Sequence, residues 1–104
     1  MAQITLLSPT TSATQSNVFR VLSPEKPVTL IIGATSGHTA SEYSDLQISY
    51  DGTNWEDVYS NGAQQRLSST NTVLVINAVG LYRVDKEATT NAVGVYLVSR
   101  KNIP

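Results

Sequence analysis

The chain has 104 residues, a formal net charge of −1 and only 14% charged residues. This length predicts one domain and excludes a two-domain enzyme. Without an excess of basic residues, the chain is not expected to bind nucleic acid. The absence of cysteine excludes disulfide bonds, thiolate zinc sites and cysteine nucleophiles.

The sequence also carries no signature of export or membrane insertion. Its first residues lack the cationic region and the long apolar core of a secretory signal peptide. The longest nearly apolar stretch, residues 73–82, is interrupted by Asn77 and Gly80 and is too short to span a bilayer. We therefore expect no membrane partner.

Residue usage predicts an all-β fold. The chain contains 12 serines, 12 threonines, 11 valines and 6 isoleucines, and these residue types favour strands and turns over helices. Turn-forming residues recur at intervals of roughly 8–12 residues, the spacing of a sandwich or barrel. We expect a single-domain β-sandwich, immunoglobulin-like or jelly-roll, over residues 17–104, preceded by an extended N-terminal arm over residues 1–16.

The arm begins with an extended segment at residues 3–7 and continues as a hydroxyl-rich loop to residue 16. The predicted strands of the sandwich are residues 18–22, 28–32, 46–50, 55–59, 72–76, 81–84 and 92–99. Alternation and β-branched residues place twelve side chains in or near the core: Val28, Leu30, Ile32, Leu46, Ile48, Trp55, Val73, Val75, Tyr82, Val84, Val95 and Leu97.

Two short motifs predict local structure. Asp51 and Gly52 form the strongest hairpin signal, since they can supply the positive φ angles of a tight turn. Residues 80–84 resemble the Gly-x-Tyr-x-Val start of a late strand in immunoglobulin-like domains, where the tyrosine hydroxyl bonds back to the backbone at a corner of the sandwich. We therefore expect Tyr82 to anchor the core and Arg83 to point outward.

The residues that could carry chemistry are few. His38 has no second histidine to form a metal pair, so we expect an exposed loop imidazole. Glu56 and Asp57 are neighbours on a strand and point to opposite faces, so they cannot flank one glycosidic bond. No Gly-x-Ser-x-Gly elbow supports a serine nucleophile. The sequence predicts no catalytic residue, no metal and no cofactor.

Three segments together carry a resemblance to a known class of protein: residues 46–55, residues 80–84 and the β-rich finish at residues 93–98. With the small size, the absence of cysteine and the Ser/Thr content, they resemble small structural proteins of tailed-bacteriophage virions, above all head decoration (cement) proteins. The resemblance implies a non-enzymatic protein that is made in the host cytoplasm and binds the capsid exterior. It also implies that the protein bridges subunits of the major capsid protein, often as a homotrimer.

The arm is the expected contact element of such a protein, because it has no obvious core to join. We expect its strand-like residues to add to a neighbouring sheet by β-augmentation. These residues are Gln3, Ile4, Thr5, Leu6 and Leu7.

Two other functions stay open. The first is a phage tail or fibre accessory domain that binds surface glycan by stacking sugar rings on Tyr50, Trp55 and Tyr59. The second, which the sequence favours least, is an enzyme subunit or an inhibitor.

Overall fold

The computed structural model describes residues 2–22, 28–33, 38–76 and 78–99, except for the side chains of residues 2, 3, 28–33 and 99. These ranges contain twelve strands and no helix, and hence no helix that could cross a membrane. The strands are β1 (Ala2–Thr10), β2 (Thr14–Gln15), β3 (Phe19–Val21), β4 (Val28–Gly33), β5 (Tyr43–Ser49), β6 (Glu56–Asp57), β7 (Tyr59–Ser60), β8 (Ala63–Gln64), β9 (Arg66–Ser68), β10 (Val73–Ile76), β11 (Gly80–Lys86) and β12 (Val93–Ser99).

The strands form two main antiparallel sheets. The four-stranded sheet has the order β1-β12-β4-β10. The six-stranded sheet has the order β2-β11-β5-β6, with β3 also paired to β11 and β9 to β5, and β7 pairs with β8 in a small separate ribbon. The chain is therefore all-β and β-sandwich-like, as the sequence predicts.

The core lies between the two main sheets. The four-stranded sheet contributes Leu6, Leu74, Ile76, Val95 and Leu97. The six-stranded sheet contributes Phe19, Val21, Leu46, Leu67, Tyr82 and Val84. Five of the predicted core residues are thus confirmed: Leu46, Tyr82, Val84, Val95 and Leu97. Ile48 is partly buried and packs against this cluster. Trp55 is partly buried.

The prediction for β10 has the wrong face. Val73 and Val75 are 45% and 63% exposed, whereas Leu74 and Ile76 are 6% and 5% exposed. All four residues are apolar, so the strand shows no alternation from which its inward face could be chosen. Its pairing with β4 decides the face instead. The predicted core positions in β4 itself, Val28, Leu30 and Ile32, have side chains outside the described residues.

The prediction that the N-terminal segment forms a free arm is wrong for residues 2–10. Residues 2–10 form β1, which pairs antiparallel with β12 at the edge of the four-stranded sheet. Leu6 is 5% exposed and belongs to the core. The segment therefore does join the sandwich, because its apolar side chains add to the same hydrophobic layer as those of β12. Its role as a partner contact stays a prediction.

The predicted turn at Asp51 and Gly52 is longer than a tight two-residue turn, and of these two residues only Gly52 has a positive φ. Gly52 has φ +82°, but residues 50–55 all lie between β5 and β6. The Ser49 hydroxyl accepts hydrogen bonds from the backbone N–H groups of Asp51 (3.2 Å) and Gly52 (2.8 Å). One Asp51 carboxylate oxygen accepts the N–H groups of Thr53 and Asn54, each at 2.8 Å. Because these donors stabilise the carboxylate, the pKa of Asp51 is held well below its usual range.

The tight two-residue turn lies one hairpin later. Asn61 and Gly62 join β7 to β8 and both have positive φ, 54° and 80°. This is the requirement of a type I′ turn, and Asn-Gly is its preferred sequence.

The predicted tyrosine corner is confirmed in its geometry. Tyr82 is 2% exposed, and its hydroxyl donates a 2.9 Å hydrogen bond to the carbonyl of Ala78. Its ring stacks on Phe19, with ring centres 5.8 Å apart. Arg83 points outward, where it donates to the Gln47 side chain (2.8 Å) and lies over the ring of Trp55.

Replacement of Gly52 by valine should destabilise the domain. A β-branched residue is strained at φ +82°, and we expect a loss of about 1–3 kcal/mol in the free energy of unfolding. Chemical denaturation of the wild type and of Gly52→Val measures this loss. Thr53→Val is the matched control, since it puts the same residue type in the same exposed loop without a positive φ. Equal stability of the two variants would remove the special role of Gly52.

Replacement of Tyr82 by phenylalanine should cost about 0.5–1.5 kcal/mol, the net value of one hydrogen bond. The ring and its contact with Phe19 are kept, so the loss reports the bond to Ala78. Tyr43→Phe keeps its ring beneath Arg66 and should leave the melting temperature nearly unchanged. A Tyr82→Phe protein as stable as the wild type would show that the corner bond contributes nothing.

Candidate functional site

Buried polar side chains gather at one end of the core. Lys86 is 1% exposed and lies opposite Ser44, which is 0% exposed, in the pairing of β11 with β5. The Lys86 amine donates to the backbone carbonyls of Ser12 (2.9 Å) and Glu87 (3.0 Å). Burial lowers the pKa of Lys86, and the negative charges of Glu42 and Glu87 oppose that shift.

His38 belongs to the same cluster, so the prediction of an exposed imidazole is wrong. The side chain is 4% exposed, and its Nε2 lies 2.8 Å from the Ser44 hydroxyl. Its Nδ1 is buried and has no hydrogen-bond partner among the described residues. Burial lowers the pKa of His38; Glu42 and Glu87 act to raise it, and Lys86 acts to lower it. The ring packs inward because the buried Ser44 hydroxyl offers it a polar partner.

Glu42 forms hydrogen bonds that connect Thr39 to Thr90, in the loop after β11. One carboxylate oxygen accepts the N–H of Thr39 at 2.9 Å. The other accepts the N–H and the hydroxyl of Thr90, at 2.9 and 2.8 Å. These bonds favour the charged form and lower the pKa of Glu42 to about 2. The Glu87 carboxylate accepts the N–H of Tyr43 at 2.6 Å.

The His38–Ser44 pair has the spacing of a base and a nucleophile but not the access. A nucleophilic hydroxyl must reach a substrate atom, and Ser44 is fully buried. Among the described residues, no group of three or more His, Asp or Glu side chains could hold a metal ion. Glu56 and Asp57 are both exposed, and they pair with Ile48 and Gln47 respectively.

The three aromatic residues of the glycan alternative do not converge. Tyr50 is 83% exposed and lines a groove of about 510 Å³ with Arg20 and Glu56. Tyr59 is 62% exposed and lines a different cavity, of about 200 Å³. Trp55 is half-buried beneath the guanidinium of Arg83, 4.5 Å from its ring centre.

The predicted contact residues of the N-terminal segment divide between surface and core. Ile4 is 53% exposed and Thr5 is exposed, whereas Leu6 is buried and Leu7 is half-buried. The side chain of Gln3 lies outside the described residues.

Charge distinguishes the two sheets, and sequence reasoning missed this feature. No Asp, Glu, Lys or Arg occurs in any strand of the four-stranded sheet. The strands of the six-stranded sheet carry eight: Arg20, Asp45, Glu56, Asp57, Arg66, Arg83, Asp85 and Lys86. The signal was present in the sequence but could be read only once the strands were assigned to sheets.

The outer face of the four-stranded sheet, which we call the neutral face, is uncharged and combines exposed valines with hydroxyl-bearing side chains. Register places Thr5, Tyr96 and Val73 in one row of positions across the sheet, and Val98 and Val75 in the next. Val73 and Val75 are exposed, while Tyr96 and Val98 are partly exposed.

Comparison of the chain with protein-family models, with curated proteins and with solved structures found no match.

The buried histidine predicts a loss of stability in mild acid. Because the pKa of His38 in the folded chain lies below its ordinary value of 6.5, the unfolded chain binds a proton that the folded chain does not. The free energy of unfolding should therefore fall as the pH drops below about 6.5. Glu42 adds a second loss as the pH falls from about 4.5 towards 2.

Urea denaturation at a series of pH values measures this dependence. His38 is the only histidine, so His38→Gln should flatten the slope between about pH 5 and pH 7 while keeping the loss at lower pH. A variant whose slope matches that of the wild type would show that another group is responsible.

Proposed function

We propose that the chain is a non-enzymatic structural virion protein that decorates and stabilises the capsid of a tailed phage. In this proposal it binds the capsid exterior and bridges subunits of the major capsid protein. The observation that carries the proposal is the absence of charge from the four-stranded sheet. A surface adapted to water normally carries charged side chains, and the centres of interfaces are depleted in them.

The chemistry of the neutral face fits a flat protein contact. Val75 is 63% exposed and Val73 is 45% exposed, and exposed apolar residues gathered in one patch mark interaction sites. Thr5 and its register partner Tyr96 supply hydroxyl groups that can satisfy polar groups of a partner. The fully buried Ser44 hydroxyl, out of reach of any substrate, is also in keeping with a structural role.

Stabilisation of the capsid would follow from mass action. A protein that binds the assembled shell, and not its separated subunits, shifts the equilibrium towards the shell. Many copies bound to one particle add their effects, so each contact can be weak.

Glycan binding by a tail or fibre accessory domain is the second candidate, and one observation favours it. Tyr50 presents its side chain to solvent above a groove whose rim carries Arg20 and Glu56. The loop that holds Tyr50 is fixed by the hydrogen bonds of Ser49 and Asp51, and such preorganisation favours ligand binding. Trp55 and Tyr59 lie elsewhere, so Tyr50 is the one residue of the three that could stack on a sugar ring at this groove.

Cosedimentation with phage heads tests the capsid proposal. The heads come from the phage that encodes the chain and are stripped of small bound proteins. We expect the wild type to pellet with them and Thr5→Lys to bind much less, because a lysine in the neutral face would be buried without a partner. Gln15→Lys adds the same charge to the six-stranded sheet, where Gln15 already bonds Asp85, and should bind normally.

The remaining outcomes decide between the candidates. A wild type that stays in the supernatant overturns capsid decoration. A wild type that binds cell-surface polysaccharide, and loses this binding in Tyr50→Ala, supports the accessory-domain alternative. Equal binding of both lysine variants to heads would move the contact away from the neutral face.

A further inference from the structure

The four-stranded sheet ends at β10, and no other described strand pairs with the outer edge of β10. Its pairing with β4 is regular over all four residues, from Val73 to Ile76. Within the described ranges, no backbone hydrogen bond joins the outer edge of β10 to another segment. A row of backbone N–H and C=O groups is therefore available to pair with an added strand.

The other edge of the same sheet is protected. The pairing of β1 with β12 is interrupted by two register shifts, between Thr5 and Leu7 and between Leu7 and Thr10. Pro9 lies in this strand, and the carbonyl of Leu6 already accepts the N–H of Asn17 at 3.0 Å. Bulges, proline and a covering segment are the usual means of preventing edge-to-edge pairing.

Bulges and proline, which protect β1, do not occur in β10. The strand has no charge, no proline and no bulge, and two of its four side chains are exposed. A cavity of about 200 Å³ lies alongside it, lined by Leu74 and Ile76 and by the exposed Tyr59. An added strand could therefore place a side chain in this cavity while its backbone completes the sheet.

We propose that β10 pairs antiparallel with β10 of a second copy of the chain. Opposed residues of antiparallel strands share one face of the sheet, so an outward Val73 must lie opposite an outward residue. The two-fold register through Leu74 meets this condition, because it sets Val73 opposite Val75 of the second copy. Leu74 then lies opposite its own copy on the inner face.

Self-complementarity is the reason to choose a second copy as the occupant. Over residues 73–75 both faces of the joined strands would be apolar, and an uncharged edge meets neither repulsion nor an unpaired charge in its own copy. The product is a continuous eight-stranded sheet with two-fold symmetry. The inference does not rest on capsid binding, and it points to a dimer where the family resemblance implies a trimer.

Sedimentation velocity of the purified chain tests the proposal. We expect monomer at low micromolar concentration and dimer at several hundred micromolar. The variant Val73→Lys/Val75→Lys should stay monomeric up to a concentration at least ~10-fold higher than the one at which the wild type dimerises. The reason is that lysines would lie opposite lysines across the two-fold axis. Both positions are exposed, so circular dichroism and thermal unfolding should show a folded domain. Thr5→Lys, on the protected edge, is the matched control and should dimerise as the wild type does.

A charge-swap pair makes the test specific. Val73→Glu/Val75→Glu should also be monomeric, and an equal mixture with the lysine variant should restore dimer, since each lysine then lies opposite a glutamate. Hydrogen exchange of residues 72–76 should slow as the wild-type concentration rises. A wild type that is monomeric throughout, a trimer or open polymer, or a dimer lost in Thr5→Lys alone would each overturn the proposal. So would a mixture that fails to associate.

Discussion

The alternation of β11 is the constraint on which the rest of the structure depends. This strand pairs with β2, β3 and β5, and its inward side chains run the length of the core. Tyr82 lies at one end of the core, where its hydroxyl donates a hydrogen bond to the carbonyl of Ala78. Val84 is fully buried. Lys86 lies at the other end, where its amine donates to the carbonyl of Ser12. This one strand therefore supplies the apolar centre of the core and the hydrogen bonds to backbone carbonyls at both of its ends. The register of the strand fixes both sets of hydrogen bonds together.

Much of this strand could be predicted from the sequence, because local alternation is visible there. The burial of Tyr82 and Val84 and the outward direction of Arg83 follow from period two. The same alternation extends to Lys86, but a charged residue at a core position is normally treated as the end of a strand. Its burial depends on the carbonyl of Ser12, 74 positions away in sequence. No local pattern can supply such a partner.

The errors have the same physical origin. For β10, four consecutive apolar residues contain no information about which face is inward. His38 stands between Gly37 and Thr39 in the sequence, and its burial is decided by Ser44 on the strand that follows. The sequence predicts a free arm around Leu6 because its partner strand, β12, lies at the far end of the chain. Each outcome is set by a long-range contact, which composition and spacing do not encode.

The outer faces of the two sheets differ in their charged and polar contacts. On the six-stranded sheet, Arg66 forms a 2.8 Å ion pair with Asp45 and lies 4.0 Å above the ring centre of Tyr43. Gln15 and Asp85 pair at 2.9 Å on the same sheet. These partly exposed pairs contribute little to stability, but they keep the surface compatible with water. Among the described residues, the neutral face has no comparable charged pair.

The positions of the protected and unprotected edges also determine how far assembly can proceed. If β10 formed contacts with a different surface of the next copy, each added chain would present a new β10 edge, and growth would continue as a filament or close as a ring. Pairing of β10 with itself uses both open edges in a single contact. The joined sheet then ends in β1 on both sides, where the register shifts and Pro9 prevent further pairing. An edge that would be an aggregation hazard in a monomer thus becomes a contact that stops at two copies.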